Sequence, residues 1–431
     1  MNFNRFQKKQ IARNFFPFFQ KIGVGWLSIF LFCQPIFADS PPLKFWTFLN
    51  PNWLQPVITQ FEKENPKVKV EVERLTYQEG RNKIIIAFSA NQGPDVLELG
   101  STWAVDFIQA GAFAKMESSV FSSEKYYGVD AGIWEGKIYA VPWLVAVSAL
   151  FYNEKLLKAA GFSAPPKNWE ELCNQVQKIH NPQKRIYGFG WKLGAESMWQ
   201  KFLPFAWSNG VDVLSQNVDQ NVGENTTQNI IQVQTPPFLQ AVKLMKTLGD
   251  FGLVEDNLRV RHAFLQGRVA FMLDDAGQMA YLKKNAPTLQ FSVAPLPNSN
   301  ITSQHQTFQG AQLLAINQKS SQPDLALQWI QTLMRPENVE LVTNKILTLY
   351  PALKESLHSS FYQKHPELLV FLQELAYGRS PLKVKNWILI QKKLTFALER
   401  VLFGLASAEE AMKDLQAEIQ PILSENSALK K

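Results

Sequence analysis

Two domains of open α/β type are predicted by three observations. The chain has 431 residues, more than one hydrophobic core organises well, which points to two domains. Strand and helix patterns alternate from residue 43 onward, the order that builds a sheet flanked by helices. Beyond the first 38 residues no apolar run is long enough to span a bilayer.

The alternation is legible element by element. "LKFWTF" (43–48) is a short buried strand, and a helix follows with Trp53, Leu54, Val57, Ile58 and Phe61 on one face. "PKVKVEVERL" alternates Val68, Val70 and Val72 with charges, the signature of a half-exposed strand. "NKIIIAFSA" is a helix, "GPDVLEL" a strand entered by a Gly-Pro turn, and "TWAVDFIQAGAFAKM" a helix ending near Gly111. "KIYAVPW" and "SALFYN" are two more strands. "EKLLKAAGF" is a helix with Gly161 just past its end. Asn168 and Glu171 stand in the spacing of a capping box ahead of Trp169, Leu172, Val176 and Ile179. "IYGFGW", "VAFMLDD", "FSVAPLP" and "GAQLLAIN" read as strands, and "PFLQAVKLMKTLGDFGL" and "RVRHAFLQGR" as helices. Residues 215–235 are rich in Asn, Gln and Thr and read as an exposed excursion, and the tail from Leu325 is almost all helical.

The first 38 residues carry Arg5, Lys8, Lys9, Arg13 and Lys21 and no acid, then an apolar run from Ile22 to Phe32 and a small residue at Ala38. This is the pattern of a cleaved secretory signal. Phe32 is too large for the position before a lipidated Cys33. Removal of the segment lowers the net charge from +7 to +2, because it carries five basic residues. The basic balance therefore does not argue for nucleic acid, and no Lys/Arg cluster suggests a phosphate track. One cysteine remains, Cys173, so the exported chain forms no internal disulfide. It sits on the face pattern of a helix and reads as a small packed residue.

The order of these segments resembles one family. "FEKENPKVKVEV", "GPDVLELGSTWAVDFIQAGAF", "GKIYAVPW", "ALFYNEKLLKAAGFSAPPKNWEEL", "FLQGRVAFM", "GAQLLAIN" and "ASAEEAMKDLQAEI" are each weak singly. Together, in this order over nearly the whole exported chain, they resemble the extracellular sugar-binding proteins of ABC transporters, of the maltose-binding-protein-like class. The resemblance implies a two-lobe periplasmic-binding-protein fold of type II-like topology, each lobe an open sheet flanked by helices, a hinge crossed more than once, and a helical C-terminal region. It implies a first lobe of residues 39–147 plus 276–317 and a second of 148–275 plus 318–431. It also implies a periplasmic protein, a monomer, with a small carbohydrate ligand in the cleft and membrane permease subunits as partners, and with no cofactor.

A sugar offers an apolar C–H face and a hydroxyl rim, so an indole beside amides and carboxylates suits it. Eleven of the twelve tryptophans lie beyond the leader. Trp46 and Asn50 follow the first strand at its carboxyl end, where open α/β sheets place ligands. Trp103 opens a helix at a similar strand end, beside Ser101 and Thr102 as donors. Trp143 falls near the expected first crossing of the hinge. One of Trp191 and Trp207 is expected from the second lobe. Asp274 and Asp275 end a strand at the expected second crossing and could accept hydroxyls. Gln309 and Tyr350 fall near the expected third. Each of these aromatic residues could equally be core. The sequence also departs from the class: relatives often have Gly-Pro-Trp after the "VAM" strand, where this chain has Asp-Asp-Ala-Gly, and an acid and an Arg before the "LFYN" strand, where it has Ala146-Val147-Ser148. The class transfers; the identity of the sugar does not.

Three other readings compete with this one. A secreted glycoside hydrolase needs a carboxylate pair or an activated nucleophile, but Asp274 and Asp275 are adjacent and so point to opposite sides of a strand. A metal binder needs ligand spacing, and the five histidines are scattered. The same fold could also take a glycerol-phosphate-type ligand or another small solute, which would call for an arginine or a helix N-terminus in the cleft.

Overall fold

A computed structural model describes residues 41–117, 122–194, 197–219, 226–299, 302, 305–346 and 348–428. The expected secretory signal lies outside the described residues. In chain order the strands are β1 (Leu43–Thr47), β2 (Val70–Arg74), β3 (Val96–Gly100), β4 (Ile133–Trp134), β5 (Lys137–Ile138), β6 (Ala140–Val147), β7 (Ala149–Asn153) and β8 (Tyr187–Leu193). They continue with β9 (Leu214–Asp219), β10 (Thr226–Ile231), β11 (Gly252–Asp256), β12 (Val269–Asp274), β13 (Phe291–Ala294), β14 (Thr307–Ile316), β15 (Tyr350–Pro351) and β16 (Gly378–Arg379).

The strands form two main sheets. The first runs β15-β6-β14-β3-β1-β2, with β16 beside the start of β14. β1 is parallel to β2 and β3, and β14 is antiparallel to β3 and β6. The second runs β11-β8-β12-β7-β13. β9 and β10 make a separate hairpin in the polar stretch that the sequence marked only as an excursion.

Helices are started where the sequence supplies caps. Asn168 Oδ1 accepts from the Glu171 amide at 2.9 Å, and its Nδ2 donates to Glu171 Oε1 at 3.0 Å. Glu171 Oε2 also accepts from the Lys167 amide at 2.8 Å, so the closure resembles a capping box shifted one residue outward. Asn50 caps the Pro51–Glu64 helix by accepting from the Asn52 amide at 3.1 Å. That helix buries Leu54, Val57, Ile58 and Phe61. Phe61 and Phe45 both stand edge-on to the fully buried Trp329, at 5.1 and 5.8 Å between centroids.

The packing moves the lobe boundaries from the expected ones. The helices Pro323–Leu333 and Pro336–Ile346, together with β15, belong with the first sheet: Ala326, Trp329, Ile330, Val339, Val342 and Tyr350 join its core. Residues 318–431 therefore do not all go to the second lobe. Conversely β13, in the segment expected in the first lobe, pairs with β7 of the second sheet. The reason is that strand patterns specify a strand but not its partner. The apolar clusters do not follow the lobes strictly either. The first continues onto one face of the second sheet, where Phe371 stands 6.3 Å from Tyr350 and 6.0 Å from Phe151. The second cluster covers the other face and the C-terminal helices Trp387–Leu402 and Ala408–Ala428.

Among the described residues the chain changes sheet at three places, and the strand ends at those places lie side by side. Ser148 alone separates β6 from β7. Residues 295–306 join β13 to β14, and residues 380–386 join β16 to the Trp387–Leu402 helix. The Ser148 amide donates to the Phe308 carbonyl at 3.2 Å, and Thr307 Oγ1 donates to the Ser148 carbonyl at 2.6 Å. Thr307 and Phe308 pair in turn with Gly378 and Arg379, and Ser380 Oγ donates to the Gln309 carbonyl at 2.7 Å.

Glu98 on β3 is fully buried; its Oε2 accepts from Thr47 Oγ1 and from the Phe48 amide at 3.0 Å. Burial pushes its carboxyl up to about 7, against the lowering effect of those two donors. A carboxyl that holds its proton longer folded than unfolded loses stability as pH rises between its two pKa values. Folding free energy should therefore fall by about 2–3 kcal/mol more in the native chain than in Glu98→Gln between roughly pH 4.5 and 7. Urea denaturation of both proteins across that window measures it, and parallel pH profiles would refute it.

Candidate functional site

A cavity of ≈350 Å³ opens beside the three crossings. The first lobe supplies Ser101, Thr102 and Val105, just past the carboxyl end of β3, and the loop at Gly128–Ala131. The passage from β16 supplies Arg379, Ser380 and Lys383, while the second lobe supplies Asp212 and Trp387. β14 contributes Gln309. The volume lies at the small end of the range for small-molecule sites, roughly 300–1,000 Å³.

Each lining group is fixed by its own neighbours. Ser101 Oγ accepts from the Ala311 amide at 3.1 Å, which ties the end of β3 to β14. Gln309 is buried, and its Nε2 has no hydrogen-bond partner. Gly378 makes this placement possible: a Cβ there would fall 2.9 Å from Gln309 Cβ and 3.0 Å from Nε2. Trp387 opens its helix with its indole edge-on to Trp199, at 5.7 Å, and Trp199 is edge-on to Phe308 at 5.3 Å. A chain of edge-on rings thus runs from the hinge strand to the cavity wall.

The charges at the cavity are internally matched. Arg379 pairs with the buried Asp212 at 2.9 Å, and its guanidinium lies 5.4 Å from the Trp207 ring centre. Burial pushes the Asp212 carboxyl up, and Arg379 opposes this. Lys383 donates to the carbonyls of Asp130 at 2.7 Å and Ile133 at 3.3 Å. Burial lowers the pKa of its ammonium, partly offset by the Asp130 charge. The two cations thus lie against the two acids of the lining, Asp212 and Asp130.

Gln309 is the one residue among the ten sequence candidates that lines this cavity. Trp46 is the penultimate residue of β1, with the Lys83 ammonium 4.9 Å from its ring centre. Asn50 is spent as a helix cap. Trp103 is buried beneath Tyr77 and Phe48, at 4.6 and 5.9 Å. Trp143 lies in the first core, 6.4 Å from Phe45, five residues before the chain leaves the first sheet. Trp191 is buried between Phe189 and Phe205, at 4.9 and 5.9 Å. Trp207 is buried behind Arg379. Tyr350 is buried against Phe371, and its hydroxyl has no hydrogen-bond partner.

The two acids require a correction. They do not mark a crossing, because β12 leads into the Ala276–Asn285 helix and back to β13 of the same sheet. Asp274 is buried and pairs with Lys192, with Lys201 at 3.9 Å. Burial alone would raise its carboxyl, but the two ammonium groups hold it below its usual range. Asp275 caps the following helix by accepting from the Gly277 amide at 2.8 Å. Burial and the Asp274 charge push its carboxyl up. Lys201 in turn donates to Ser148 Oγ at 2.9 Å, so this ionic cluster buttresses the first crossing from the second lobe. Burial lowers the Lys201 pKa, and the two aspartates oppose it.

The sequence reading placed donors at Ser101 and Thr102 but missed Asp212, Arg379, Lys383 and Trp387. The available signal was the Asn386-Trp387 start of a long amphipathic helix, preceded by the irregular "RSPLKVK". Among the described residues no three His, Cys, Asp or Glu side chains gather so as to hold a metal. Nor is any described helix long and apolar enough to cross a membrane.

Comparison with known proteins gives a consistent result. The family model for bacterial extracellular solute-binding proteins matches residues 49–340. A putative binding protein of Brucella abortus is 25% identical over 385 residues, covering 86% of this chain and 90% of the relative. The diacetylchitobiose-binding protein of Streptomyces coelicolor is 23% identical over 294 residues, 65% of each chain. In three dimensions a sugar-binding protein of Xanthomonas citri superposes with a TM-score of 0.77 at 22% identity, over 90% of this chain and 99% of that one.

The ionic cluster makes a stability prediction. Asp274→Ala would leave Lys192 and Lys201 buried without the acid they pair with, only Asp275 remaining nearby, a loss of about 3–5 kcal/mol. Chemical denaturation should show that drop. A variant within about 1 kcal/mol of the native chain, the range of exposed ion pairs, would mean that the cluster carries no such weight.

Proposed function

The chain belongs to the bacterial extracellular solute-binding proteins, and from that premise we propose that it is the substrate-binding component of an ABC importer that captures an uncharged, hydroxyl-rich ligand, a sugar or short oligosaccharide, in the cavity beside the hinge. The observation that carries the reading is the matched charge of the cavity. Its two cations, Arg379 and Lys383, lie against its two acids, Asp212 and Asp130. What remains in the lining is the Trp387 indole, the Gln309 side chain and the Ser101, Thr102 and Ser380 hydroxyls. An aromatic face with a few polar groups suits a sugar ring: the face removes its C–H surface from water at about 25 cal/mol per Å², and the polar groups orient its hydroxyls. The diacetylchitobiose-binding relative supports the same ligand class.

The binding step requires no chemistry. Ligand enters while the lobes stand apart. Groups on both lobes then meet it, and the extra contacts of the closed state provide the differential affinity that draws the lobes together. The closed, loaded protein docks on membrane permease subunits, and reopening there releases the ligand.

A thermal-shift and calorimetric screen of neutral mono- and oligosaccharides, glycerol phosphodiesters and inorganic phosphate tests the ligand class. Saturable stabilisation by a neutral sugar is expected, and binding of phosphate compounds alone would overturn the sugar assignment. For the sugar that binds, Gln309→Ala should weaken affinity about 3- to 10-fold, the loss of one neutral hydrogen bond, with an unchanged melting temperature. Unaltered affinity would remove Gln309 from the site.

A further inference from the structure

Trp387 stands at the start of a second-lobe helix, yet that helix is capped from the first lobe. The residue before it, Asn386, has a left-handed backbone with φ of 63°, and its side chain makes no capping hydrogen bond. Its backbone N–H donates instead to Asp106 Oδ1 at 3.1 Å. Asp106 lies on the first-lobe helix Ala104–Gln109, one residue past the cavity-lining Val105. Its other oxygen accepts from Arg81 Nη2 at 3.1 Å, which fixes the carboxylate in place.

The helix that receives this carboxylate is the 16-residue Trp387–Leu402, packed within the second-lobe core. Its N-terminus carries unsatisfied amides and the positive end of the helix dipole, so an anion placed there is stabilising. Here the anion comes from the opposite wall of the cavity. The contact exists only while the lobes hold their present separation. It ties the first-lobe helix to the last residue of the third crossing, where the chain enters the second lobe, by a hydrogen bond that can break without breaking the chain.

We propose that Asp106 is a positioning residue for ligand retention: it caps the Trp387 helix across the cleft, and so holds the indole wall over the cavity and favours the closed arrangement. This rests on the reading of the cavity as the ligand site. The capping should act on dissociation, since the contact must break before the cleft opens, and should leave association nearly unchanged.

The test uses Asp106→Ala and Asp106→Asn, the second keeping an acceptor oxygen without the charge. Small-angle scattering of the ligand-free proteins should give a larger radius of gyration for Asp106→Ala than for the native chain. With the sugar identified by the ligand screen, stopped-flow kinetics should show dissociation about tenfold faster in Asp106→Ala, a smaller change in Asp106→Asn, and matching association rates. An unchanged ligand-free radius and unchanged dissociation would overturn the proposal. So would equal losses of melting temperature in both variants without any change in radius, because they would assign Asp106 to the stability of its own lobe. Should no sugar bind the native chain, the ligand assignment fails, while the ligand-free scattering still decides whether Asp106 holds the lobes together.

Discussion

The short lattice of hydrogen bonds around Ser148, Thr307 and Gly378 is the constraint on which the molecule depends. Two sheets are joined by three strands of chain, and those strands are themselves paired. A connection of this kind resists shear and twist, because sliding one strand breaks bonds to its neighbour. Bending is left as the soft motion. The lattice is reinforced on one side by Lys201 on Ser148. On the other, His305 Nε2 lies 2.7 Å from Glu374 Oε1, and its ring is 4.3 Å from that of Tyr377. The cavity sits beside this lattice with lining residues on both lobes, so bending at the hinge changes the distance between its two walls.

The same lattice explains where charge has been placed. Buried ionisable groups are costly unless partnered, and here partners reach across elements distant in sequence. Asp274 meets Lys192 and Lys201, and Asp212 meets Arg379. The first group joins the second sheet to the crossing; the second joins the crossing to the loop after the Met198–Ser208 helix. Both use charge to hold backbone, not to offer it to a ligand. The cavity lining as a result carries charges of both signs, two acids and two cations.

Much of the fold was legible in the sequence because it is local. Asn168 with Glu171, the Val68–Val70–Val72 alternation and the apolar face from Trp53 to Phe61 each specify their element without outside help. The two-lobe class followed from the order of such elements and from the resemblance they carry. What was not legible depends on partners far along the chain. β13 looks like any short strand, and only pairing with β7 assigns it to the second sheet. Asp274 looks like a free acid at a strand end because its lysines are 82 and 73 residues away. Tryptophans attracted the search for a sugar platform, but Trp143, Trp191 and Trp207 are buried packing residues. The lining from Gly378 to Trp387 was hidden because an irregular connection carries no periodicity by which its direction can be read.

The most direct test of the central claim is a crystal structure of the protein grown with the neutral sugar that stabilises it best. The account predicts density for that sugar between the two lobes, one ring face against the Trp387 indole and a hydroxyl accepting from Gln309 Nε2, with Arg379 still paired to Asp212. A ligand bound elsewhere, or one bearing an anion that draws Arg379 away from Asp212, would contradict it.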